Sequence, residues 1–346
     1  MSLKQQLTDD MKAAMKAGEK HRLGVIRLMN AAIKQREVDE RIELDDAAVL
    51  AAPSGAVVLT TDSMVRERDW RDDWSSGHEI GRKVVAQNLA DIAAMGAVPT
   101  GLLIALAADP RTEVEWAVDL TAGIAQAARA AGAPVLGGDL SSAGPGTIIV
   151  AITAVGDLAG RPPVRRDGAR PGDVVAVAGT LGRSGGGLQL LLAGRGRTHL
   201  DPRPDAGASP LERAVDELCR VHRTAGEPPF AEGPRAADAG ATAMIDVSDG
   251  LVRDLGRLAR ASGLRVELSG RALAAEAAGA LTDALGADEA LRQVLSGGEE
   301  HSLVATFPPG GVPAGWRVLG ACVVGEPGVL VDGVEPDVLG WDHFRP

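Results

Sequence analysis

Two spacing rules divide the chain. Over residues 2–42 the apolar positions follow helical spacing: Leu3, Leu7, Met11 and Ala14 or Met15 lie about four apart, and after Gly18 the set Leu23, Ile26, Met29 and Ile33 recurs at three and four. One apolar stripe with charges on the other faces predicts amphipathic helix, and Gly18 breaks it into a helical hairpin. From residue 45 the texture changes to short aliphatic runs alternating with Ala-rich helical stretches and Gly/Pro turns, the pattern of an α/β or α+β fold. Strands are predicted at 57–59, 102–106, 134–136, 147–155, 174–177 and 243–245. Helices are predicted at 80–95, 113–131, 185–192, 210–222 and 251–262. The stretch 160–173 (GRPPVRRDGARPGD) is rich in Pro, Gly and Arg and reads as a joint. The predicted organisation is a hairpin over 1–44, a first domain over 45–160 and a second over 161–346.

Composition narrows the function. The chain has 346 residues, 45% hydrophobic and 24% charged, which suffices to bury a core. Its net charge of −11 works against a polyanion partner, so neither nucleic acid nor an anionic membrane surface is expected. With three Phe, five Trp and no Tyr there is little for a base-stacking surface to use, and the core must be aliphatic. Cys219 and Cys322 form no CxxC, which excludes a cysteine zinc site and suits a reducing compartment. No apolar run approaches the ~18 residues of a membrane span and no charged-then-apolar leader opens the chain, so a soluble, cytoplasmic protein is expected. Charge is also unevenly placed. Five of the six lysines fall in the first 34 residues, Lys83 is the sixth, and residues 1–44 sum to +2 against −13 for the rest.

The chemistry is carried by acids. The sequence reads VVLTTD at Thr60, Thr61 and Asp62, VLGGDL at Gly137, Gly138 and Asp139, and AMIDVSDGL at Asp246, Ser248 and Asp249. Each is expected where a strand gives out into a loop. Asp45 and Asp46 add a pair, and Asp91 lies on a helix whose buried side is marked by Val85, Leu89, Ile92 and Met95. Carboxylates beside hydroxyls, with glycines that let backbone N–H groups approach, suit Mg²⁺ and a polyphosphate. Singly, each acid reads equally as a turn-former, and Ser248 or Asp249 as a cap for the following helix. There is no GxxxxGK[ST], HExxH, GxSxG or kinase HRD/DFG set. The segment 182–187 (GRSGGG) reads as a helix N-terminus open to an anion or as a flexible turn. The six histidines show no metal-ligand spacing and are expected to be surface or hydrogen-bonded residues.

DDAAVL, TTD, QNLADIAAMGA, LGGD, RRDGARPGD, IDVSDGLVRDLGRLA, SGGEE and GWDHF, in that order over residues 45–346, resemble the thiamine-monophosphate kinase family of the PurM-like ATP-binding superfamily. The resemblance implies a two-domain α/β protein, a homodimer through the sheet of its first domain, that transfers the γ-phosphoryl group of ATP onto thiamine monophosphate with Mg²⁺. It assigns Asp46, Thr60, Thr61, Asp62, Asp91, Asp139, Asp246 and Asp249 to magnesium, and Gly138, Asp139, Arg166 and Ser248 to ATP. Asp69, Glu299 and Trp341 fall on the thiamine side, and Asp246, Asp249 and Arg166 at the reacting phosphates. Asp69 stands where the family has His, and Glu300 where it has Asp. Glu43 and Leu44 replace the glycines of the family's GxGDD turn. The alternatives are a catalytically weakened Mg-ATP-binding protein and another PurM-like ATP enzyme. Residues 1–44 resemble the start of the YqeY family.

Overall fold

The computed structural model describes residues 12, 16, 55–202, 204, 207–338, 340 and 341. Lys12 and Lys16 are helical and exposed. The rest of the predicted hairpin and the Asp45-Asp46 pair lie outside the described residues.

The first sheet holds four strands, β1 (Val57–Val65), β2 (Val98–Ala108), β3 (Val135–Ser142) and β4 (Ile148–Asp157), in the order β1-β4-β2-β3. β4 runs antiparallel to both β1 and β2, while β2 and β3 are parallel. The parallel pair needs a crossover, and α2 (Val114–Ala130) supplies it. Helix α1 (Gly77–Ala94) packs against β1, β4 and α2. Its start is set by a reciprocal capping box between Ser76 and Glu79. Gly81 and Gly123 let α1 and α2 meet backbone to backbone: a Cβ on Gly123 would stand 2.0 Å from the His78 carbonyl oxygen. Ile80, Val84, Leu89 and Ile92 of α1 fill the core against Leu102, Val150 and Ile152 of the sheet.

The described residues cover only one face of this sheet. Met64, Leu102, Val150 and Ile152 point under the helices, whereas Leu59, Thr61, Leu103 and Ala105 lie on an open face where Leu59 is 62% and Leu103 40% exposed.

Residues 158–173 carry neither helix nor strand and lead into the second sheet. Its strands are β5 (Val174–Ala178), β6 (Ala243–Asp246), β7 (Arg265–Leu268), β8 (Leu303–Phe307), β9 (Arg317–Val323) and β10 (Gly328–Val331), in the order β10-β7-β9-β5-β8-β6. Helices α3 (Arg183–Leu192), α4 (Pro210–Thr224), α5 (Glu232–Asp238), α6 (Leu251–Ser262), α7 (Gly270–Ala277), α8 (Ala280–Leu285) and α9 (Ala287–Ser296) complete this half. One core joins Val175, Val177 and Val304 to Leu218, Leu255 and Leu258, and a second runs through Ala176, Met244, Ala305 and Phe307 under Trp316.

The predicted strands and helices form, with shifted ends. The strands after residue 262 and α5, α7, α8 and α9 carry no prediction, because β7 and β10 are four residues long and β8 is a buried five-residue run without alternation. One expectation is corrected. Asp62 and Asp139 do not stand at strand ends: β1 stays in register with β4 to Val65, and β3 with β2 to Ser142. Backbone pairing carries the polar residues through the strand, and only Asp246 closes one.

Candidate active site

The two sheets meet along α1, which also packs on α4, β6 and β8. Glu79, Lys83, Gln87 and Asp91 recur every fourth residue and so share one face of α1, a polar stripe along the seam. Arg223 of α4 donates from Nε to Glu79 at 3.1 Å, and Lys83 Nζ pairs with Glu299 Oε1 at 2.8 Å.

Asp91 lies at the far end of this stripe, where carboxylates from three elements converge. Thr60 Oγ1 donates to Asp91 Oδ2 at 2.6 Å, and the Asp62 backbone N–H donates to Asn88 Oδ1 at 3.0 Å, which ties β1 to α1. Asp246 faces them from β6. Burial pushes the Asp91 carboxyl up to about 6, with the charges of Asp246 and Asp62 acting the same way. Asp62 is raised by burial, against a hydrogen bond with Gln87, with Asp246 and Asp249 adding repulsion. His301 Nδ1 lies 3.4 Å from Asp246 Oδ2. Burial pulls that imidazole down, but Asp246 outweighs it and the result is raised. Among the described residues no three His, Cys, Asp or Glu side chains form a ready-made metal cage.

The DVSDGL turn is held by a residue that sequence reading missed. Asp254 Oδ2 accepts the backbone N–H groups of Ser248, Asp249 and Gly250 at 3.1, 2.9 and 3.1 Å, and its Oδ1 accepts from Arg257. Burial, then the charge of Asp246, pushes its carboxyl up to about 7. Neither Ser248 nor Asp249 caps α6: Gly250 occupies that place and Asp254 reaches back from the first turn. Asp249 pairs with Arg257 at 2.5 Å and lies 4.0 Å from Arg253. An acid in a helix's first turn, behind a Gly, was the available signal.

The loop after α9 closes the other side. Glu299 and His301 both take left-handed backbone angles, φ 57° and 54°, and Glu299 and His301 donate their N–H groups to Ser248 and Val247 carbonyls. Non-glycine residues held this way cluster at functional sites. Glu300 points elsewhere: it accepts from Thr180 Oγ1 and from the Ser184 N–H at 2.8 Å, so the anion at the start of α3 is the protein's own carboxylate. Burial raises that carboxyl against these bonds. Trp341 is exposed, and its N–H donates to the Asp249 carbonyl at 2.8 Å. Gly340 makes that crossing possible, with φ 83° and a Cβ position 2.2 Å from the Asp249 oxygen.

Other assigned residues fall outside this convergence. Thr61 lies on the open face and donates to the Ile152 carbonyl at 3.1 Å. Asp69 accepts from the Val65 N–H at 2.7 Å, so its carboxylate closes a turn, and its carbonyl faces Lys83. Gly138 and Asp139 are exposed on β3, at the opposite sheet edge from β1, and Asp139 accepts from Ser141. Arg166 is exposed in the joint, its carbonyl accepting from Ser262. Asp46 lies outside the described residues.

Comparison with known proteins gives matching partners for both parts of the chain. The family model of the AIR synthase related protein, N-terminal domain, matches residues 44–158, and that of the Yqey-like protein matches 4–67. The thiamine-monophosphate kinase of Mycobacterium tuberculosis H37Rv is 41% identical over 343 residues, covering 97% of this chain and 96% of the relative. That of Corynebacterium glutamicum is 38% identical over 307 residues, 87% and 88% of the two chains. A structure described as AaThiL complexed with AMPPCP and TMP is similar at TM-score 0.73 and 29% identity, covering 90% of this chain and 96% of that one. The Stenotrophomonas maltophilia K279a thiamine-monophosphate kinase is similar at TM-score 0.74 and 29% identity, covering 88% and 96%.

Proposed function

The chain belongs to the thiamine-monophosphate kinase family, and from that premise we propose how its residues divide the work of making thiamine diphosphate from ATP and thiamine monophosphate. A phosphate oxygen of thiamine monophosphate attacks the γ-phosphorus of ATP, the bond to the β-phosphate oxygen breaks, and ADP leaves. No enzyme group is phosphorylated on the way. Both reactants are anionic, so catalysis is a matter of positioning and charge.

One observation carries the reading: Asp62, Asp91 and Asp246 converge from β1, α1 and β6 although their own repulsion and burial oppose it. That donor set fits Mg²⁺, which takes hard oxygen ligands and keeps sites for water and phosphate, so it needs no closed protein cage. When bound, the ion supplies positive charge to the phosphates. Asp62, Asp91 and Asp246 would hold it; Asp249 would join after exchanging Arg257, and Thr60 orients Asp91. Asp254 keeps the Ser248 to Gly250 backbone in place. Glu299 and Trp341 face the thiamine end of the cleft.

Residues 45–160 and 161–346 serve as the two domains, and the protein works in the cytoplasm. No helix of the described residues is long and apolar enough to cross a membrane. The active form is a homodimer through the open face of the first sheet. Within one chain Gly138 and Asp139 stand on the far edge, about 14 Å across the sheet from β1 at the usual strand spacing. They therefore serve the nucleotide only from beside a second copy.

The test is formation of thiamine diphosphate by the purified chain from Mg-ATP and thiamine monophosphate. Turnover should stop with EDTA and return with Mg²⁺. Calorimetric binding of Mg-ATP without turnover would instead favour the weakened binding protein.

A further inference from the structure

Lys83 is the sole lysine after residue 34 and is 2% exposed, yet nothing in the metal cluster uses it. Its ammonium lies 2.8 Å from Glu299 Oε1 and 3.5 Å from the Asp69 carbonyl oxygen, so it joins α1 to the turn before it and to the loop of the second sheet. The other Glu299 oxygen is 3.3 Å from His222 Nδ1, which is 3.2 Å from Ser184 Oγ. Burial and then Lys83 push the His222 imidazole down to about 3, so it is neutral at pH 7. Burial works against the charge on Glu299, but Lys83 together with His222 and His301 outweighs it and holds the carboxyl below its usual range.

Glu299 is thus a carboxylate with a left-handed backbone, one oxygen gripped by a buried cation, and 34% of its side chain still exposed. A carboxylate offers about four lone-pair positions, and these partners take two. Eight residues separate Lys83 from Asp91, about 12 Å along the helix, so this grip lies towards the end of the stripe away from the Asp91 cluster. We propose that Lys83 is a positioning residue that fixes Glu299 for the heterocyclic end of the acceptor. The proposal rests on the function given above. A quaternary thiazolium and an aminopyrimidine present a cation and N–H donors, which a fixed carboxylate complements. Left loose, Glu299 would have to be ordered at each binding event. Recognition of the acceptor depends on Lys83; recognition of ATP does not.

The experiment uses the full chain as wild type, K83M, K83R, E299Q and K83M/E299Q, with kcat and both KM values measured and folding checked by thermal melting. K83M should raise KM for thiamine monophosphate about ten-fold or more while KM for ATP and kcat stay within about two-fold. K83R, which keeps the charge, should recover most of the loss. K83M should add nothing on the E299Q background, the signature of a residue acting through another. If K83M alone does not fold, the double variant, which removes both charges, must match E299Q. Multiplicative effects, an equal rise in KM for ATP, or an unchanged K83M enzyme would overturn the proposal alone. A wild-type chain that neither turns over nor binds thiamine monophosphate by calorimetry overturns the parent function and this proposal with it.

Discussion

Asp91 carries a charge that its surroundings resist. Its folded carboxyl titrates at about 6 against an ordinary 3.8, so the folded state holds the proton longer than the unfolded chain does. Below about pH 4 both states are protonated and the group costs nothing. Between 4 and 6 the unfolded state ionises first, stability falls as pH rises, and above about 6 the full penalty is present. Asp91→Asn keeps an acceptor for Thr60 and removes the charge. It should stabilise the metal-free protein by about 1–2 kcal/mol at pH 7.5, discounted for partial solvent access, and by nothing at pH 4. Urea unfolding at the two pH values checks this. The same variant should lose phosphoryl transfer by about 100-fold or more if Asp91 holds the cation as proposed. Among single residues, Asp62, Asp91 and Asp246, proposed above to hold the cation, were singled out in the sequence by residue type and by the apolar positions around them. Asp254 and Lys83 were not, because their meaning lies in partners that range from three to more than two hundred positions away.

Helix α1 decides much at the scale of elements, since one face fills the first core and another lines the seam. Its capping box settles two orphan N–H groups, and Ser76→Ala should cost about 1 kcal/mol in urea unfolding. Its approach to α2 is less forgiving. Gly123→Val places a Cβ 2.0 Å from a backbone oxygen that cannot step aside, and should cost more than about 3 kcal/mol, visible as a lowered Tm. Element type was readable wherever the apolar period was long, as in α1 and α4. It was unreadable for β7 and β10, whose four residues are too few to show a period. The tip of α6 shows the same limit. Sequence reading offered Ser248 or Asp249 as its cap, while a carboxylate from inside the helix takes the three N–H groups.

At the scale of the whole molecule, the described residues leave one apolar face of the first sheet uncovered. Leu59 and Leu103 stand exposed on the same side of the first sheet, next to edges that pair with nothing in the described chain. If the proposed dimer forms through this face, Leu103→Glu should give a monomer in light scattering after size exclusion and should reduce turnover with it, because the proposed role of Gly138 and Asp139 needs the second copy. The family and the α/β class were determined by the sequence alone, through periodicity and ordered motifs, which also supplied the acids proposed above to bear the chemistry. Which acids meet was decided only by the tertiary structure. Strand parity sends Thr60 and Asp62 towards α1 and Thr61 away from it, and strand order puts Asp139 three strands from β1. Distance along a chain carries no information about distance across a sheet or a seam, and carboxylate chemistry depends on the latter.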